Sequence, residues 1–161
     1  MSWKRSIGSA VVAIVICELA GAAGALLGND GIKRWYPTLR KPTFTPPSWV
    51  FGPVWTLLYG CMGVAVSVVW RRRSDEKRAA AALFVFAFQL VANVLWTFAF
   101  FNRRSTGAGL TVIVPLWLLI TLTIVLFWPI AVLAALLMVP YLLWVSFATA
   151  LNVRVWQLNR D

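Results

Sequence analysis

Two side-chain amides, Gln89 and Asn93, stand in an uncharged apolar run and recur with Trp96 and Phe100 at i, i+4, i+7 and i+11. That spacing places all four on one face of a helix. Amides surrounded by hydrocarbon need partners, so the face points into a bundle. Two further stripes have the same mixed character: Gly52, Trp55 and Tyr59 share one, and Tyr141, Trp144, Ala148 and Asn152 share another. Each stripe alone is equally readable as ordinary helix packing. Together, three aromatic and polar stripes converge as the walls of a cavity suited to a flat, apolar, conjugated ligand. The chemistry indicated is binding. No acid–base pair or nucleophile dyad accompanies the stripes.

Other reactive groups add little. Cys17 and Cys61 both lie inside apolar runs and read as buried free thiols. With no His, no close Cys pair and scattered carboxylates, no protein metal site is expected. Glu18 falls near the middle of the first apolar run, where a carboxylate is expensive as an anion. It is either a functional group or a neutral acid hydrogen-bonded to a neighbouring helix. Ala20, Gly24 and Gly28, with Gly21 beside them, are small residues at four-residue spacing that let backbones approach closely, within one chain or between two.

The elements that must position these residues follow from hydropathy. Of 161 residues, 61% are hydrophobic, against about 45–50% in soluble domains. The excess sits in long runs. A span needs about 20 apolar residues to cross ~30 Å of hydrocarbon, which predicts helices over 7–27, 48–70 and 79–101. Residues 110–153 carry no charge and exceed one span. Proline disfavours helix in the residue before it and suits a first turn, so Trp128-Pro129 divides the run into helices over 110–128 and 130–155. One long kinked helix is the alternative, at a mismatch that tilt does not absorb cheaply. The chain therefore reads as a single domain over 1–161, an all-α integral membrane bundle of five transmembrane helices. RRRSDEKR (71–78) and NRRSTG (102–107) are short polar turns. Residues 28–47 are different, a long loop with Pro37, Pro42, Pro46 and Pro47 and with Trp35, Tyr36 and Phe44. Its aromatics point to a packed cap over one end of the bundle.

Fifteen Lys and Arg against five Asp and Glu give a formal charge of +10. The basic residues cluster between apolar runs, as at membrane headgroups, so nucleic acid is not an expected partner. Lys4, Arg5, Arg71, Arg72, Arg73, Lys77 and Arg78 lie on one side, and Lys33, Arg34, Arg40, Lys41, Arg103, Arg104, Arg154 and Arg160 on the other. This near balance leaves topology open. Trp3, Trp70, Trp128 and Trp156 fall near span ends as an interfacial belt, whereas Trp55, Trp96 and Trp144 lie inside spans, where no belt accounts for them. The first run follows Lys4 and Arg5 but is longer than a signal-peptide core, and reads as a retained helix. No Arg- and Ser-rich transit segment precedes it, which favours a prokaryotic cell membrane over a bacterial or mitochondrial outer membrane.

Three segments, WYPTLRKPTFTPPSWVFGPVWTLLYG (35–60), QLVANVLWTFAFF (89–101) and PYLLWVSFATALN (140–152), resemble the signature segments of the TspO/MBR family. These are the tryptophan-rich sensory proteins of bacteria and the translocator proteins, or peripheral benzodiazepine receptors, of mitochondria. The likeness extends over nearly the whole chain. It implies a five-helix bundle, commonly a homodimer, with a pocket beneath the first loop, and with that loop and the C-terminus on the cytoplasmic side. By motif position the pocket would use Tyr36 and Pro46 from the loop, and Trp55 and Tyr59 from the second helix. Asn93, Trp96 and Phe100 would come from the third, and Trp144, Ala148 and Leu151 from the fifth.

Family members bind porphyrins such as protoporphyrin IX, and some bind cholesterol. The resemblance thus implies a membrane receptor or carrier for tetrapyrroles, linked to their regulation, transport or stress sensing, with porphyrin as ligand and no resident cofactor. Lys33, Arg34, Arg40 or Lys41 would meet its carboxylates, unless they contact only headgroups. With no His to hold iron, free-base porphyrin is easier to accommodate than haem. Some relatives imply a second reading, an enzyme that degrades porphyrin with light or oxygen, for which Trp55 and Trp144 are the redox candidates. A third is a lipid- or sterol-binding protein or a partner scaffold. Sterol is doubtful, because LNVRVWQLNR (151–160) lacks the Tyr that the proposed cholesterol motif needs.

Overall fold

In hydrocarbon an unpaired backbone N–H or C=O has no water to turn to, so a spanning segment must satisfy its own backbone as a helix. The computed structural model describes residues 3–74 and 76–160. It holds five long helices: α1 (Trp3–Asp30), α2 (Ser48–Arg71), α3 (Ala79–Thr97), α4 (Thr106–Phe127) and α5 (Val132–Leu158). All five are long and apolar enough to cross a membrane, and no strand occurs among the described residues. The side chain of Trp3, assigned above to the interfacial belt, lies outside the described residues; Trp70 and Trp128 are about half exposed at helix ends.

The division at Trp128-Pro129 is present. Ile130 N and Ala131 N both donate to Phe127 O, at 3.0 and 2.8 Å, closing a tight turn between α4 and α5. The Arg72 guanidinium donates to the Ile130 carbonyl, tying the end of α2 to that turn. α4 starts at Thr106 because Ser105 caps it, accepting from Ala108 N at 3.1 Å.

The first loop is shorter than its prolines indicate. α1 passes directly into a π-helical turn (Gly31–Trp35) and a 3₁₀ turn (Tyr36–Thr38). Helical structure thus covers the first half of the 28–47 segment. Pro37 does not stop it, because it occupies the start of the 3₁₀ turn, where its missing N–H costs nothing. Non-helical backbone begins at Leu39 and ends at Pro47.

The helices form a ring in the order α1, α2, α5, α4, α3, which closes on α1. Polar residues turn inward: Gln89, Asn93, Thr123 and Asn152 are buried, while Leu26, Leu57 and Leu143 are 78%, 68% and 65% exposed to the lipid side. Gly24 of α1 and Gly31 of the turn that follows it serve packing within the chain. A Cβ on Gly24 would sit 3.4 Å from Thr97 Oγ1, and one on Gly31 only 1.9 Å from the Phe101 carbonyl oxygen. On α2, a Cβ at Gly63 would stand 2.4 Å from Ile14 Cα, whereas one at Gly60 would meet nothing within 4 Å. Gly63→Ala is therefore expected to destabilise the fold by about 1–3 kcal/mol through overpacking, and Gly60→Ala to stay within about 0.5 kcal/mol of the parent. Thermal unfolding in detergent, with both variants side by side, checks this; equal melting temperatures would show that the α1–α2 contact is slack.

Candidate functional site

The three stripes meet. Beneath the first loop, α1, α2, α3 and α5 enclose a cavity of about 980 Å³. From α2 it is walled by Phe51, Trp55 and Tyr59, from α3 and the turn that follows it by Trp96, Phe100 and Phe101, and from α5 by Trp144, Ala148, Leu151 and Asn152. The aromatic rings brace one another. Trp55 stacks on Tyr59 with centroids 5.5 Å apart, Trp96 on Phe100 at 5.7 Å, and Phe51 meets Trp144 edge-on at 5.8 Å. Indole and phenyl faces held this way present broad apolar surfaces with few rotamers to lose on contact with a ligand.

The loop forms the roof. Tyr36, Pro37, Lys41, Thr45 and Pro46 line the cavity from above. Trp35 and Tyr36 pack on Phe100, and Phe44 packs on Phe147 of α5. Asn159, just past α5, clasps the loop at both backbone groups of Arg40: Arg40 N donates to its Oδ1 and its Nδ2 donates to Arg40 O, each at 2.9 Å. Thr45 closes a turn on Pro42 O through N and Oγ1 at 3.1 and 2.8 Å. A second π-helical turn, Phe98–Asn102, abuts the one that ends α1, and Asn102 Nδ2 donates to Leu27 O at 2.9 Å. Such turns recur at functional sites; here both stand at the mouth.

Of the residues placed in the pocket from sequence, Tyr36, Pro46, Trp55, Tyr59, Trp96, Phe100, Trp144, Ala148 and Leu151 all line this one cavity. Asn93 does not. It is 1% exposed and set behind the wall, where Tyr59 Oη donates to its Oδ1 at 2.5 Å and its Nδ2 donates to Tyr141 Oη at 2.9 Å. Gln89 and Tyr141 are buried behind the wall too, Gln89 Nε2 facing Met62 Sδ at 3.9 Å. The amide stripe does point inward, but its first two members link helices and only Trp96 and Phe100 reach the space.

Among the four candidate cations, Lys33 and Lys41 line the mouth. Lys41 Nζ donates to Pro37 O and Leu39 O and sits 4.9 Å from the Tyr36 ring centroid. Among the described residues Lys33 has no hydrogen-bond or ionic partner. Arg34 instead pairs with Asp30 at 3.1 Å, Arg104 pairs with the same carboxylate, and the Arg40 backbone is held by Asn159. The wall contributed by α1 was not found from sequence. Glu18, Gly21, Ala22 and Ala25 line the cavity, and no hydrogen bond to a neighbouring helix holds the Glu18 carboxyl among the described residues. The spacing of small residues was the available signal, and it read as packing.

Fold and site together define a class: helical membrane proteins that enclose a ligand-sized aromatic cavity between their helices beneath a structured loop. The chain belongs to the TspO/MBR family, whose pattern it matches over residues 13–157. It is 39% identical over 156 residues to the tryptophan-rich protein TspO of Chlorobaculum tepidum, covering 97% of this chain and 99% of the relative. It is 39% identical over 148 residues to protein CrtK of Rhodobacter capsulatus, covering 92% and 91%. The human translocator protein is 36% identical over 147 residues, covering 88% and 86%.

Asn93 supports a direct test of its linking role. Asn93→Ala strands two buried phenol hydroxyls and is expected to cost about 1–2 kcal/mol. Adding Tyr59→Phe and Tyr141→Phe removes the stranded groups and should recover most of that loss. Melting in detergent distinguishes these outcomes; a triple variant as unstable as the single one would mean that Asn93 acts by shape rather than by its hydrogen bonds.

Proposed function

We propose that this protein is a membrane receptor or carrier for a porphyrin of the protoporphyrin IX type, held in the cavity between Trp55 and Trp144. The supporting observation is one pairing: indole walls inside a cavity of about 980 Å³, with Lys33 and Lys41 at its mouth. A tetrapyrrole has a broad conjugated face and carboxylates on one edge. The face suits the stacked Trp55–Tyr59 and Trp96–Phe100 pairs, and the carboxylates suit the ammonium groups. Glu18 lies on the α1 wall, away from the lysines along the helix, so like charges would not meet if the carboxylates face the loop. The relatives named as sensory and translocator proteins fit a role in which binding itself is the output.

The test is a titration of purified protein with protoporphyrin IX in the dark, followed by tryptophan quenching. Saturable quenching is expected, with Trp144→Ala weakening affinity about tenfold or more, equivalent to ~1.4 kcal/mol. Lys33→Gln should weaken binding less and reduce its salt dependence. Absence of saturation would reject the proposal. Illumination then separates binding from catalysis: porphyrin absorbance should fall no faster than with heat-denatured protein. A faster fall that Trp55→Phe and Trp144→Phe abolish would establish the degradative reading instead.

A further inference from the structure

The other half of the bundle holds a second cavity of about 510 Å³, between α1, α2 and α3. It shares no lining residue with the first. Gly8, Ala13 and Cys17 mark its course along α1, Val66 and Trp70 lie on α2, and Ala87 on α3. Its floor carries no polar group in search of a partner: Ser67 Oγ donates to Val64 O at 2.8 Å. From Gly8 to Cys17 is nine residues, or ~14 Å of helix at 1.5 Å per residue. One leaflet contributes about half of the ~30 Å hydrocarbon core, so the groove has the length of a single leaflet. Its inner end, at Cys17, stands one residue from Glu18 of the first cavity.

Charge identifies the occupant. The ends of α2 and α3 at the outer end of the groove carry basic residues. Arg72 and Arg73 follow Trp70, and Lys77 and Arg78 precede α3, against Asp75 and Glu76 in the sequence between them. Arg73 lies over the Trp70 ring, 4.0 Å from its centroid, at the mouth of the groove. Arg73, Lys77 and Arg78 are exposed, whereas the Arg72 guanidinium is taken up by the Ile130 carbonyl. We infer that the α1–α2–α3 groove binds one anionic phospholipid, with an acyl chain lying from Gly8 to Cys17 and its phosphate at this basic collar. An acyl chain matches an apolar slot of leaflet length, and phosphate matches clustered Lys and Arg. This inference stands apart from the porphyrin reading, since it uses none of the same residues.

Native mass spectrometry of the full chain, released from detergent containing equal phosphatidylglycerol and phosphatidylcholine, tests it. One retained lipid per chain is expected, with phosphatidylglycerol favoured about tenfold. Lys77→Gln with Arg78→Gln, both on the exposed turn, should remove that preference while phosphatidylcholine is still retained. Ala13→Phe and Ala87→Phe, which fill the groove, should lower retention of both lipids about tenfold. Equal retention of the two lipids by the parent would overturn the inference. So would lipid retention that survives both filling variants, or filling variants that turn a dimer into a monomer without loss of lipid. If the filled variants do not fold, the exposed-turn variant decides alone: unchanged preference overturns the inference.

Discussion

Tyr59, Asn93 and Tyr141 join α2, α3 and α5 through two buried hydrogen bonds, and much of the cavity's shape depends on that junction. In lipid, apolar contact between helices competes with equally apolar acyl chains, so position and orientation fall to hydrogen bonds and close packing. A single amide with one acceptor and one donor group in use fixes the rotation of three helices at once. That rotation turns Trp55, Trp96 and Trp144 toward one another. It also sets the depth of the cavity, because the junction lies behind the wall at Tyr59, the deepest α2 residue to line it.

The remaining contacts repeat the same economy. Asn152 accepts from Trp96 Nε1 at 3.4 Å and donates to Thr106 O at 2.9 Å, so α3, α4 and α5 meet through a second amide. Trp117 Nε1 donates to Ser146 Oγ at 2.7 Å between α4 and α5. Where no amide serves, glycine lets backbones touch, as at Gly31 against Phe101 and Gly63 against Ile14. Pro53, Pro115 and Pro140 sit inside α2, α4 and α5 without ending them, since neighbouring helices shield the freed carbonyls.

Much of this was legible in the sequence, for reasons that differ by element. Five spans and the division at Trp128-Pro129 follow from hydropathy and from proline stereochemistry, both local properties of the chain. The stripes on α2, α3 and α5 were legible because helical period maps spacing onto a face. Period does not say how deep a face is buried. Asn93 and Trp96 lie on the same stripe of α3, yet one is a strut and the other a wall. Nor does it reveal the π-helical turns at Gly31–Trp35 and Phe98–Asn102, which arise from the contact of the two segments and not from composition. The α1 wall stayed hidden because Gly21, Ala22 and Ala25 contribute space, not side chains, and absence of bulk gives no periodic signal distinct from packing.

The two cavities end next to each other along α1, the second at Cys17 and the first at Glu18. They share no lining residue, so the described residues hold two separate spaces. Movement of the roof that Asn159 holds at Arg40 would therefore open the first space without disturbing any residue that lines the second.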